Sequence, residues 1–435
     1  MRKSKKLIAA LTACLFAAAL LAGCGGDKSG TGTDGGSAAG GGGGQGGDVI
    51  KVGIINPTTG PLSGFGEGTE WTEQIIADYV NNELGGIEVD GVKKPIELTV
   101  YDSQSDTTVA TQMTEKLITD DKVDVVIVRH TPETVNPVSG VCERYETPCI
   151  ALDAPVDAWL ADGPYEWTFH AHWNLDTMYK QYKALWEKAG FGSGSTIGLL
   201  FANDADGTAW KGTFKEQAEK DGYVVVDPNQ YPAETTDFSD IINQFKSRNV
   251  DVLVGTNTCP VFGTFWRQAK QMGFAPGFVT MGKAYLLRAD AEAIDADAGI
   301  MDGLAGEVWW SPLHPFKSSL TGTTPQELAD KYLSEKGREI TQPMGYKYAS
   351  MEILVDALTR AASTDKVKIR DAIAATDLDT IIGPIKYNED HYSLTPLCGG
   401  QWVVDEDGVL QLHLVDNSLN PELDIPTVDL VPLKK

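Results

Sequence analysis

Residues 49–84, VIKVGIINPTTGPLSGFGEGTEWTEQIIADYVNNEL, read as a strand, a glycine-rich loop and a helix. VIKVGIINP is apolar without strict alternation, the pattern of a parallel strand covered by helices on both faces. From Trp71 onward Ile75, Ile76, Tyr79 and Val80 recur at helical spacing, and Gly85-Gly86 supplies the stop. The alternation continues with a strand at 96–102, a helix at 107–119, a strand at 123–128, a helix at 132–145 and a strand at 148–152. Such an order predicts a parallel α/β sheet with right-handed crossovers. The pattern restarts with STIGLLF at 195–201, then a helix at 208–221, YVVVD, a helix at 238–247, VDVLVGT at 250–256, a helix at 261–272 and GFVTMG. A second α/β domain follows from that restart. An amphipathic stretch at 325–337, a helix around 344–362 and a strand-rich end, with Asp407-Gly408 as a hairpin turn, complete the chain.

Working outward, the first 24 residues comprise a basic start (MRKSKK), an apolar run from Leu7 to Leu20, and Leu21-Ala22-Gly23-Cys24. This is the layout of a secretory signal, and its ending resembles the bacterial lipoprotein signal, which implies lipidation of Cys24. The apolar run is short for a spanning helix, which needs about 20 apolar residues. From Gly25 to Gly47 the chain is nearly all Gly, Ser, Thr, Asp and Ala, the composition of a flexible tether. The expectation is a folded body held at a membrane surface by a lipid on Cys24.

Acidic residues outnumber basic ones 61 to 36, a net charge of -25 over 435 residues. Nucleic acid is excluded as a partner, because phosphate binding needs a basic patch. An enzyme reading finds no site: the chain has no GxSxG elbow, no HExxH, and neither GxxxxGK[ST] nor GxGxxG after a strand. His170 and His172 could share one side of a strand, but no third ligand accompanies them, and no metal or cofactor is expected. Cys142, Cys149, Cys259 and Cys398 remain beyond Cys24. In an oxidising compartment Cys142 and Cys149, which bracket a helix end and the next strand, are candidates for a local disulfide or are two buried thiols; Cys259 with Cys398 is the weaker pairing.

KVGIINPTTGPLSGFGEG (51–68), IELTVYDSQSD (96–106) followed by TEKLITDDKVDVVIV (114–128), GLLFANDADGTAWKGTFKEQAEKDGYVVV (198–226), and VLVGT with FWRQAKQMGF give the chain its likeness. In this order, over residues 49–417, they resemble the type I solute-binding proteins of ABC transporters, specifically the branched-chain amino-acid (leucine/isoleucine/valine-binding) receptor family. The resemblance implies two Rossmann-like lobes joined by three crossover strands, with the ligand in the cleft between them. The crossovers would fall near 169–173, 304–311 and 383–387. The first lobe would hold 49–168 and 312–382, and the second 174–303 and 388–430, behind a signal at 1–23 and a tether at 24–48.

Physics favours the same cleft, since in open α/β sheets ligands sit beyond the carboxyl ends of the strands. Receptors of this family hold the ligand carboxylate with hydroxyls and backbone amides of the first lobe and its ammonium with an acid of the second. This sequence departs from that set. The small loop expected after VDVVIV reads Arg129-His130-Thr131-Pro132-Glu133, a threonine position holds Asp153 followed by Ala154, a tyrosine position holds Asp206, and Lys283-Ala284 stands where the ammonium-binding acid is expected. Arg129 either pairs with Glu133 or Asp153 or grips a ligand carboxylate. Thr131-Pro132 suits a helix start, Asp204 and Asp206 either cap the 208–221 helix or face the ligand, and Lys283 is either solvated or bound. Phe65 with Gly66 in the first loop and Trp309 or Trp310 at the second crossover are candidate cleft walls. Asn257, Thr258 and Tyr285 complete the candidate set from the second lobe.

Acids at Asp153 and Asp206 suit an amine, whereas Arg129, His130 and Lys283 suit a carboxylate; together they fit a zwitterionic, amino-acid-like or aromatic ligand. The expected function is an extracytoplasmic, monomeric, lipid-anchored receptor, on the outer face of the cytoplasmic membrane or in the periplasm. It would deliver a small metabolite to an ABC permease and its ATPase. The alternative is a sensor of the same fold coupled to a membrane signalling partner.

Overall fold

The computed structural model describes residues 49–295 and 299–434; the signal segment, Cys24 and the tether expected from the sequence lie outside the described residues. Two sheets carry the fold. The chain enters the first with β1 (Ile50–Asn56), β2 (Ile96–Asp102), β3 (Val125–Arg129), β4 (Cys149–Leu152) and β5 (Thr168–Ala171). It then builds the second from β6 (Thr196–Phe201), β7 (Val224–Val226), β8 (Val252–Thr256), β9 (Phe278–Gly282) and β10 (Ala305–Val308). Late in the chain β11 (Tyr392–Ser393) returns to the first sheet, while β12 (Cys398–Val404) and β13 (Leu410–Asp416) close the second.

The first sheet runs β11-β5-β4-β3-β1-β2 and is parallel throughout. The second runs β13-β12-β10-β9-β8-β6-β7; five of its strands are parallel, and β12 and β13 add an antiparallel edge. Every residue of β3, β8 and β9 is buried, the condition their unbroken apolar sequences require. In each sheet strand addition changes side after the second strand: β1 lies between β2 and β3, and β6 between β7 and β8. Crevices at such reversals, beyond the strands' carboxyl ends, are where doubly wound sheets hold ligands.

Six helices matter for the site: α1 (Thr69–Asp78), α2 (Pro132–Arg144), α3 (Ala205–Lys220), α4 (Cys259–Gln271), α5 (Arg288–Asp295) and α6 (Gln342–Ala361). Pro132 opens α2, where its missing N–H costs nothing. Asp204 caps α3 by accepting from Gly207 N at 2.7 Å. Helix α6 is buried along most of its length and packs on α1 and β4, so charged residues on it must find partners inside the protein.

Two sequence expectations are corrected. Gly383–Lys386 is not a crossover: it pairs antiparallel with Asp377–Thr380 as a local hairpin. Because β11 adds to β5 in the first sheet and β12 starts in the second, the chain changes sheets between Ser393 and Cys398, and the late lobe boundary moves there from 382–388. The Cys142–Cys149 disulfide is not formed, nor is Cys259–Cys398; all four thiols are free. Cys142 and Cys149 lie fully buried in one apolar cluster with Val126, Val138 and Trp159, and burial pushes the Cys142 thiol well above its ordinary range. Among the described residues no helix is long and apolar enough to cross a membrane.

Candidate functional site

Strand ends of both sheets converge on a small cavity of about 20 Å³, lined from the first by Phe65, Thr131, Pro132, Asp153 and Pro155 and from the second by Trp210, Asp206, Thr256, Lys283 and Glu307. His172, Trp173 and Trp309, on the two connections that follow β5 and β10, close its sides. The volume suits about one water, so anything larger fits only if the two sheets part, the hinge motion open to two lobes on short connections.

The backbone at these strand ends is held in unusual conformations. His130, Thr131, Asp153 and Lys283 have φ of 73°, 61°, 64° and 67°, and Thr131 combines its value with ψ 150°. Non-glycine residues in such regions cost about 1–3 kcal/mol each, and persist where the surrounding structure forces them and function uses them.

Asp153 is 3% exposed, and both carboxylate oxygens lack a hydrogen-bond partner. His130 Nδ1 comes within 3.2 Å of Oδ2 without hydrogen-bonding geometry. Burial raises the Asp153 carboxyl to about 7, against the pull of Arg129 and Lys347. Across the cavity, Asp206 Oδ2 accepts from Lys283 Nζ at 2.8 Å and from Thr256 Oγ1 at 3.1 Å. Burial works against the Lys283 charge, but the carboxylates of Asp206, Glu133 and Asp204 outweigh it and hold the ammonium above its ordinary range. Glu307 accepts from Lys283 N at 3.3 Å and from the Tyr182 hydroxyl, and burial raises its carboxyl to about 7.

The walls are aromatic. Phe65 stacks on Trp309 with centroids 6.3 Å apart, Trp173 lies 6.3 Å from Trp309 and 5.7 Å from Trp210, and His172 meets Trp309 edge-on at 4.7 Å. The indole N–H groups of Trp173, Trp210 and Trp309, the Thr131 hydroxyl and both nitrogens of His172 are buried without partners. Burial keeps His130 and His172 well below the usual imidazole range, so both rings are neutral near pH 7. Among the described residues no group of three or more His, Cys, Asp or Glu side chains is arranged to hold a metal ion.

Of the residues singled out from sequence, Phe65, Thr131, Asp153, Asp206, Lys283 and Trp309 line the cavity. Others are placed elsewhere. Arg129 pairs with neither Glu133 nor Asp153: its guanidinium binds Glu73 of α1 and donates to Ser350 of α6 at 2.8 Å, all three fully buried. His130 packs behind the wall, 5.7 Å from the Phe65 ring. Gly66 is required by close approach, since a Cβ there would lie 2.3 Å from the Pro57 carbonyl. The Ala154 carbonyl is bonded to His170 Nε2 at 2.7 Å. Asp204 serves as the cap of α3. Asn257 donates to Leu200 O at 3.1 Å and accepts from the Tyr231 hydroxyl. Thr258 starts α4, and Tyr285 donates to Ala305 O at 2.7 Å within the second lobe's core. Trp310 turns away, donating to Ile381 O at 2.9 Å.

Glu307, Thr256 and Pro155 were not singled out from sequence, whereas His172 was, beside His170 on one side of a strand, and it lines the cavity together with Trp173 and Trp210. The available signal for Glu307 was a carboxylate inside the apolar run AGEVWW (305–310). Lys347, in the middle of α6, was also missed. It donates to the carbonyls of Phe65 and Glu67, both at 2.6 Å, and so fixes the loop that presents the Phe65 wall. Burial and the neighbouring Arg129 lower its ammonium to about 7, against Asp153 and Glu73.

Two doubly wound lobes with an aromatic, charge-lined cleft at their facing strand ends have the architecture of a two-lobed ligand-binding protein. The sequence model of the periplasmic binding protein family matches residues 49–406, and the chain belongs to that family. It is similar to the Leu/Ile/Val-binding protein homolog 8 of Brucella abortus (strain 2308), 24% identical over 85% of this chain and 91% of that one. Among solved structures, the leucine-binding protein LivK of Thermotoga maritima superposes with a TM-score of 0.71 at 19% identity, covering 86% of this chain and 100% of the other. An ABC-transporter solute-binding protein of R. palustris in complex with 4-hydroxybenzoate gives 0.67 at 18% identity, covering 85% and 96%. At these identities the structural likeness concerns the fold.

Proposed function

We propose that this protein is an extracytoplasmic solute receptor that captures a small amino-acid-like or aromatic metabolite between its lobes and hands it to an ABC permease. In this reading a lipid on Cys24 and the glycine-rich tether keep the receptor at the membrane. The observation that carries it is the convergence, at the facing strand ends, of the unpartnered Asp153 carboxylate with four aromatic walls, a lining of apolar surface with a few placed polar groups. A similar protein named for leucine and another solved in complex with 4-hydroxybenzoate support both the amino-acid and the aromatic side of the reading.

Thermal melting of the purified protein against amino acids, amines and aromatic acids tests it. A ligand at a hundred times its Kd adds about 2.7 kcal/mol, which raises the melting temperature by several degrees. A panel of all three chemistries that leaves the melting temperature unchanged overturns the receptor reading.

A further inference from the structure

The charges around the cleft do not balance in the way an amino-acid clamp requires. Arg129 is bound by Glu73 and Ser350, Lys347 by two backbone carbonyls, and Lys283 by Asp206, whose other oxygen has no partner. His130 and His172 contribute no charge. The group left with both oxygens unpartnered is an acid, Asp153, 3% exposed and lining the cavity.

The two helix starts beside the cavity are equally unsuited to an anion. Helix N-termini attract carboxylates through free N–H groups and the positive end of the dipole. Helix α2 begins with Pro132, which has no N–H, and continues with Glu133; α3 is capped by Asp204 and carries Asp206 in its first turn. The start of α3 holds two carboxylates of the protein, Asp204 on Gly207 N at 2.7 Å and Glu133 on Asp206 N at 3.3 Å, and α2 carries the Glu133 charge in its own first turn. The free indole N–H groups of Trp173, Trp210 and Trp309 are neutral donors, suited to a hydroxyl or carbonyl on the ligand body and supplying no charge to balance a carboxylate. Their ring faces, with that of Phe65, attract cations.

We propose that the charged group selected by this site is an organic ammonium, held by Asp153 against the rings of Phe65, Trp173 and Trp309, and that no cation lining the cavity is left free to seat a ligand carboxylate, Lys283 being paired with Asp206; this rests on reading the cleft as a ligand-binding site. The ligand class is then an amine on an aromatic or compact apolar body, and a free amino acid is disfavoured because its carboxylate would meet Asp206, Glu307 and Glu133.

Three probes on one carbon frame test this: phenethylamine, phenylalanine and 3-phenylpropionate, with choline as a cation of different shape, each titrated calorimetrically against the protein. An amine should bind at least tenfold more tightly than either carboxylate. Asp153→Asn should weaken the amine at least tenfold and Asp153→Glu less, with circular dichroism reporting the fold. If Asp153→Asn does not fold, Trp309→Phe reads the same cage and should weaken the amine several-fold. Amine affinity unchanged in the folded variants overturns the proposal. Tighter binding of phenylalanine or phenylpropionate overturns it as well and leaves the receptor reading standing, whereas a complete absence of binders in this set and in the melting panel overturns both.

Discussion

Arg129 shows how one side chain is spent on architecture. It ends a fully buried strand, and its guanidinium reaches Glu73 on α1 and Ser350 on α6, tying two helices to the first sheet. Burial raises the Glu73 carboxyl, against the pull of Arg129, and removing one member of such a pair leaves the other charged and unsolvated. Glu73→Gln should therefore lower stability by about 3–5 kcal/mol, read from the urea midpoint; a loss below 1 kcal/mol would mean the pair is solvated or dispensable. The pairing explains why part of the site was legible in the sequence and part was not. Asp153, Asp206 and Lys283 directly follow or closely trail strands whose ends are set by the alternation of elements, so their place near the cleft follows from topology. Arg129 stands at an equivalent strand end, but its partner comes from a helix far away in sequence, and no local pattern reveals it.

At the scale of elements, the loops after β3, β4 and β9 combine strand ends with left-handed backbone at residues that are not glycine. Thr131 is the extreme case, with φ 61°, ψ 150° and a buried hydroxyl that lacks a partner. Only glycine adopts that region without strain. Thr131→Gly should raise stability by about 1 kcal/mol, measured by thermal unfolding, while weakening ligand binding; a loss of stability would show that packing of the threonine outweighs its strain. Hydrophobic periodicity made the parallel strands and long helices legible because burial on both faces leaves an unbroken apolar run. The Gly383–Lys386 strand escaped because a four-residue segment with alternating burial fits a crossover or a hairpin equally well, and its choice depends on Asp377–Thr380 being close enough to pair first.

For the whole molecule, the cleft and its supporting helix bury several groups whose ionisation lies far from its unfolded position, which gives stability a characteristic pH dependence. Burial raises the carboxyls of Asp153, Glu307 and Glu352 from the ordinary carboxylate range to about 7. A folded state that binds protons more tightly than the unfolded one has this stability in full below the unfolded values and loses it as pH rises to about 7. Each acid contributes a slope of up to about 1.4 kcal/mol per pH unit across that window. Lys347 is shifted the other way, to about 7 from 10.5, mainly by burial; its contribution is present above the unfolded value and lost as pH falls through the folded one, so it adds stability as pH rises from 7 toward 10. Buried His130, His170, His172 and His314, held below the imidazole range, run against the carboxyls and add stability as pH rises toward the ordinary imidazole value. The carboxyl contribution is therefore read from a difference between two proteins. In Glu307→Gln, which keeps an acceptor for Lys283 N and a donor for Tyr182, the urea midpoint should gain on the wild type as pH rises from about 4.5 to 7, because the variant lacks the carboxyl whose proton is lost across that window. A difference between the two that stays constant across that same window would mean that the Glu307 carboxyl is already ionised and compensated inside the fold.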